Sequence, residues 1–100
     1  MVSNYWKKWQ ELKMVPEYKD VNLRIHGIKC WSDGSTQAGS AYLREDYLVK
    51  EWGKGAANYT ASSLYSSIKA AHDAGWQVGV HSNGDAAIDM TLDALAAVQK

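Results

Sequence analysis

The sequence predicts an α/β chain in which helices alternate with parallel strands. Three observations carry that reading. Two short apolar runs, Leu23 to Trp31 and Gln77 to His81, have the length and residue types of strands. A segment of helical periodicity lies between them, and another follows the second. The resulting order is helix, strand, long loop, helix, strand, helix, which calls for parallel strands joined by a right-handed helical crossover.

The first helix is predicted over residues 3–14. Ser3 is its N-cap, Tyr5, Trp9 and Leu12 share one face, and Pro16 ends it. The first strand is predicted over 23–31. A long connection, 32–59, follows with Gly34, Gly39, Gly53 and Gly55, and a short helical turn is expected near Leu43 to Val49. Connections of this length without regular structure are uncommon unless they serve a function. Thr60 caps a helix over 60–74 whose buried stripe is Leu64, Ile68 and Ala71, and Gly75 stops it. The second strand covers 77–81. Asn83 or Asp85 caps a last helix over 85–98, with Ile88, Leu92 and Leu95 as its stripe.

Two parallel strands are few. A parallel sheet is buried on both faces and normally has several members, and both strands here would present open edges. The pattern therefore describes one part of a larger α/β fold, or a chain that completes itself as a homo-oligomer through those edges.

Composition narrows the function. The chain has 100 residues, room for one domain with a modest core. It is 46% hydrophobic and 22% charged, which is ordinary for a globular domain. Eleven basic residues balance eleven acidic ones, which argues against a general nucleic-acid or membrane surface. The lone cysteine, Cys30, forms no internal disulfide, fits a reducing, cytoplasmic compartment and excludes a cysteine-rich zinc site. No apolar run is long enough to span a membrane, and Met1 to Gln10 has no signal-like apolar region. Five Trp and six Tyr stand beside no Phe, and these amphipathic rings serve either in packing or in lining a pocket or interface.

The chemistry concentrates at the ends of the two strands. Alternation puts Ile25, Gly27, Lys29, Trp31 and Asp33 on one face of the first strand, with Ile28 and Cys30 opposite. In the second strand Gly79 and His81 share a face, with Val78 and Val80 opposite. If the Val, Ile and Cys face lies under the helices, Lys29 and His81 point together to the other side, with a glycine two residues before each leaving space. A lysine within an apolar strand is costly to bury unless paired or neutral. Lys29 reads either as a ligand precursor or as a side chain that reaches an edge or a carboxylate; His81 reads either as a metal ligand or as a hydrogen-bonded histidine at a strand end. Asp33, before Gly34, reads as a turn residue and Asp85 as a helix cap. His26 and His72 read as inert. There is no His-x-His pair, phosphate-binding glycine loop or serine elbow.

Two longer motifs carry a resemblance. The run from Gly27 to Leu43, with Lys29-Cys30-Trp31-Ser32-Asp33-Gly34-Ser35 at its start, resembles the Lys-x-x-x-Asp-Gly-Ser segment of the amidohydrolase family 3 enzymes. The run from Ala74 to Asp89 resembles that family's Gly-x-x-Val-x-x-His-x-x-Gly-Asp-x-Ala-Ile-Asp segment. The resemblance covers roughly Leu23 to Val98 and implies a fragment of a (β/α)₈ barrel, about its fourth and fifth strands. It implies metal-dependent hydrolysis of carbon–nitrogen bonds, in non-peptide amides or N-formyl groups, with one or two zinc or similar divalent ions. It implies that Lys29 is the lysine that takes up carbon dioxide as a carbamate, and that His81 is the strand-five histidine ligand. It implies a substrate-side position for Asp33 and Gln37 in the loop that follows. Desolvation favours the neutral lysine that such a reaction needs, and a neutral imidazole is a common partner of these metals.

The family's His-x-His pair, its later histidine and its terminal aspartate base have no counterpart here, and Ser40 stands where threonine is common. A typical barrel has about 250 residues, and catalytic zinc takes three protein ligands and a water. The expectation is a segment of a hydrolase acting on a small amide-type molecule, inactive as this isolated chain. The alternative is a non-catalytic α/β structural or interaction domain that oligomerises through its sheet edges. A flavodoxin-like binding domain shares the βα pattern but would need a phosphate loop.

Overall fold

The structure is a computed structural model that describes residues 6–11 and 27–100. Helix α1 spans Trp6–Glu11, strand β1 Gly27–Trp31, helix α2 Ala61–Asp73, strand β2 Gln77–His81 and helix α3 Asp85–Val98. Residues 3–5, 12–14 and 23–26 of the first predicted helix and strand lie outside the described residues, as does His26. So do Tyr5 and Leu12 of the predicted α1 stripe; Trp6 of that helix is buried, 5% exposed.

β1 and β2 pair in parallel, with Lys29 opposite Gly79 and Trp31 opposite His81. Paired residues point the same way, so the strands have one shared inner face and one shared outer face. Ile28 and Cys30 are each 2% exposed and lie on the helix side with Val78 and Val80. Burial pushes the Cys30 thiol above its ordinary pKa, partly countered by a hydrogen bond with Tyr59. On the opposite face Lys29, Trp31 and Gly79 are exposed.

The α2 helix is set at both ends by local chemistry. Thr60 Oγ1 accepts from the Ser63 amide, and Ser63 Oγ accepts from the Thr60 amide, a closed capping box. At the other end Gly75, at φ 90°, donates to the His72 carbonyl while the Trp76 amide donates to Ala71. That Schellman closure needs the left-handed conformation a glycine takes without strain. It also turns Trp76 inward onto Ala71, Ile28 and Trp6, forming one core cluster. Leu64, Ile68 and Ala71 are the buried stripe of α2.

The stripe predicted for α3 is corrected. Ala87, Thr91 and Ala94 are buried, while Ile88 and Leu92 are 42% and 58% exposed. The helix turns its small residues toward α2, so that Ala94 sits against Leu64 and Ile68. Its N-cap is Gly84, not Asn83 or Asp85. The first-turn amides are met otherwise: Ala86 donates to Asp85 Oδ1 and Ala87 to the Tyr42 carbonyl, while the Asn83 and Gly84 amides just before the helix donate to the Asp33 carboxylate. Gly84 must be small: a Cβ would fall 1.8 Å from the Tyr42 carbonyl oxygen.

The long connection is folded onto itself. The helical turn expected near Leu43 to Val49 is instead a 3₁₀ turn at Lys50–Trp52. Leu43 donates to Lys54, Tyr47 to Gly53, and Asn58 returns to the Ser32 carbonyl. Tyr47 packs edge-on to Trp52 at 5.3 Å and donates from its hydroxyl to the Ala41 carbonyl. Among the described residues no helix is long and apolar enough to cross a membrane.

Candidate functional site

The ends of β1 and β2 and the turns that leave them form one hydrogen-bonded unit. Lys29 and His81 lie on the same face, one strand apart and two residues displaced. Strand spacing and rise put their Cα atoms roughly 8 Å apart. Lys29 is exposed, and among the described residues no helix covers this face of the sheet. Its stem passes Gly79, where an added Cβ would meet only the Lys29 Cδ at 3.9 Å. Its Nζ lies 5.4 Å from the centre of the Trp31 ring, a cation–π contact. So Gly79 does leave room, whereas Gly27 answers a close approach, its Cβ position lying 2.6 Å from the Gln77 carbonyl oxygen.

His81 is fixed through its ring. Nε2 is 2.8 Å from the Gly34 carbonyl oxygen, which also accepts from Asn83 Nδ2 at 3.0 Å. A carbonyl can only accept, so Nε2 carries a proton, and in the neutral ring Nδ1 is the nitrogen that keeps its lone pair. The side chain keeps 28% of its surface exposed.

Asp33 does something the sequence did not suggest. It is 1% exposed, and its carboxylate accepts three main-chain N–H groups: Tyr42 at 2.9 Å, Asn83 at 2.9 Å and Gly84 at 2.7 Å. Its Oδ1 also lies 3.7 Å from His81 Nε2. Asp33, expected on the substrate side, is thus buried with its carboxylate taken up by three amides. Gln37 sits exposed in the 36–39 turn, where its Oε1 accepts from the Thr36 hydroxyl at 3.1 Å.

A second link runs beneath. The Ser32 hydroxyl donates to the His81 carbonyl at 2.7 Å, so it must accept from Ser82 Oγ at 2.7 Å. Ser82 Oγ in turn accepts from Thr91 Oγ1 at 2.8 Å. Three hydroxyls with one proton each thus join β1, β2 and α3 in a single directed chain. Sequence reasoning missed Ser32, Asn83 and Ser82. The signal was present as two matching turns, Ser32-Asp33-Gly34 and Ser82-Asn83-Gly84, each directly after a strand.

Outside this unit Arg44 forks onto Asp89, with Nε and Nη2 each 2.8 Å from a carboxylate oxygen, and its amide donates to Asp85. Asp85 Oδ1 also accepts from Ala86. This ties the loop after β1 to the first turns of α3. A groove of about 490 Å³ lies between α2 and α3, lined by Tyr42, Tyr65, Met90 and several alanines, on the helix side of the sheet and away from Lys29.

Whether a metal fits can be judged from these donors. His81 Nδ1 is available, and its other ring nitrogen is held by a carbonyl, as in metal-bound histidines. Lys29 stands on the same face. Among the described residues no group of three or more His, Cys, Asp or Glu side chains could hold a metal ion. The donor set fits as part of a site, short of the three protein ligands of catalytic zinc.

The comparisons with known proteins point the same way. A family model described as "Amidohydrolase family" matches residues 3–100. An uncharacterized metal-dependent hydrolase from Pyrococcus furiosus superposes with a TM-score of 0.85 at 31% identity, over 97% of this chain and 20% of that one. Another from Pyrococcus horikoshii OT3 gives 0.84 at 25% identity, over 95% and 20%. The Arabidopsis thaliana protein LONG AFTER FAR-RED 3 is 35% identical over 71 residues, 71% of this chain and 12% of that protein. The chain thus spans a fifth or less of the proteins it matches.

Proposed function

We propose, from the premise that this chain belongs to the amidohydrolase family, that it supplies two metal ligands to the active centre of a hydrolase of carbon–nitrogen bonds. The structural neighbours are metal-dependent hydrolases, which supports the metal and the hydrolytic class. The observation that carries the reading is that Lys29, in the middle of β1, and His81, at the end of the parallel β2, share one face, with His81 Nε2 tied to Gly34.

In this reading His81 binds through Nδ1. Lys29, once its face is covered and water is stripped from it, joins its neutral nitrogen to carbon dioxide and releases a proton, giving an anionic oxygen ligand. A bound zinc-type ion would activate the attacking water and polarise the scissile carbonyl. Overall one water is consumed and the amide or N-formyl bond yields an amine and an acid. The uncovered face gives the substrate its side of approach, and the exposed Gln37 turn lies in the loop that leaves β1.

Two ligands without a base do not sustain hydrolysis, so this chain alone is inactive. The test is hydrolysis of simple amide and N-formyl substrates by this chain and by a polypeptide of the neighbours' length that contains it. No turnover above free metal is expected from the chain. Turnover by the longer polypeptide, lost on Lys29→Ala and on His81→Ala, is expected. Full activity in both variants would reject the assignment.

A further inference from the structure

We propose that Asp33 is a positioning residue for His81, a role that rests on the reading of His81 as a metal ligand. A turn aspartate bonds its own backbone a residue or two onward. Asp33 does not: its partners are the amides of residues 42, 83 and 84. Two of these belong to the turn that directly follows His81. The carboxylate therefore locks the β2–α3 turn onto the loop that leaves β1.

That loop presents the Gly34 carbonyl, one residue after Asp33, to His81 Nε2 at 2.8 Å. Asn83 reaches the same carbonyl with its side chain while its amide is held by Asp33. The acceptor on the ring and the anion behind it, 3.7 Å from Nε2, act on the same nitrogen. Both draw the ring proton to Nε2 and leave Nδ1 bare. Asp33 thus selects the tautomer and the orientation of His81 without touching a metal or a substrate. Partners of this kind are worth 10- to 100-fold in metal affinity.

The experiment is NMR of the full chain labelled with ¹⁵N-histidine, with the rings neutral, before and during titration with zinc ion. Two-bond couplings report which ring nitrogen carries the proton, and comparison with His81→Gln assigns His81 among the three histidines. The wild type should hold one tautomer with the proton on Nε2. In Asp33→Asn the ring should divide between tautomers, and zinc should bind 10- to 100-fold more weakly. A loss of packing alone would lower the melting temperature without redistributing that proton.

A wild-type His81 protonated on Nδ1 overturns the proposal, whether or not any variant folds. A folded Asp33→Asn with unchanged tautomer and unchanged zinc affinity overturns it too, even with the metal reading intact. If zinc leaves the wild-type His81 signals unmoved while Asp33→Asn shifts the tautomer, the positioning role holds and the metal reading fails.

Discussion

Asp33 concentrates the energetics of this chain in one side chain. Three main-chain amides, that of Gly84 buried and those of Tyr42 and Asn83 part-buried, share its carboxylate, and hydrogen bonds to a charged acceptor are worth more than neutral ones. Asp33→Ala would leave those donors without an acceptor. Urea unfolding should show a loss of about 3 kcal/mol, more than an average substitution gives. A loss below about 1 kcal/mol would mean that water replaces the carboxylate freely. Lys29 and His81 were legible in the sequence, because alternation along two short strands fixes which residues share a face. Asp33 was legible only as a turn residue. Asp-Gly announces a turn, but nothing local announces a carboxylate with one partner 9 positions away and two others 50 and 51 away. The exposure of Lys29 was not decided by the sequence, because alternation fixes the face a side chain shares but not what covers that face.

At the scale of elements, the α2 helix was readable because its signals are local: Thr60 with Ser63 at the start, Gly75 at the end, and a stripe of Leu64, Ile68 and Ala71. The α3 helix was read one residue out of phase. Its largest apolar residues, Ile88 and Leu92, suggested the core, yet close packing against α2 selects Ala87, Thr91 and Ala94. Leu92→Ser should change the stability of this chain by no more than about 0.5 kcal/mol. Ala94→Leu should cost about 1–3 kcal/mol, since Ala94 is buried in one cluster with Leu64 and Ile68. Equal effects in thermal unfolding would contradict this assignment of faces.

The loop after β1 is held to α3 partly by charge, and that tie has a pH signature. Arg44 holds the Asp89 carboxyl below its usual range, chiefly through their hydrogen bond. A carboxyl depressed in the folded state stabilises above its unfolded pKa and loses that contribution as pH falls through its folded one. The stability gap between wild type and Arg44→Ala should therefore be steady near neutrality and close in acid. Both partners are exposed, so the gap should also shrink with added salt. A gap that widens in acid would mean the tie is not electrostatic.

At the scale of the whole molecule, β1, α2, β2 and α3 make one βαβα unit, preceded by α1, and its strand ends are joined by Asp33 and the Ser32–Ser82–Thr91 hydroxyl chain. Among the described residues helices cover one face of the sheet and not the other, which carries Lys29 and His81. The order of elements was legible because each has its own period. How the long connection folds was not, because its contacts, such as Tyr47 on Trp52 and Asn58 on Ser32, follow no period. The central claim is that His81 is a metal ligand within this unit. The measurement that tests it most directly is the zinc retained per chain after loading and dialysis, by elemental analysis, in wild type and His81→Ala. The account predicts bound metal in the wild type that is lost in the variant. Equal metal in both, or none in a folded wild type, would contradict it.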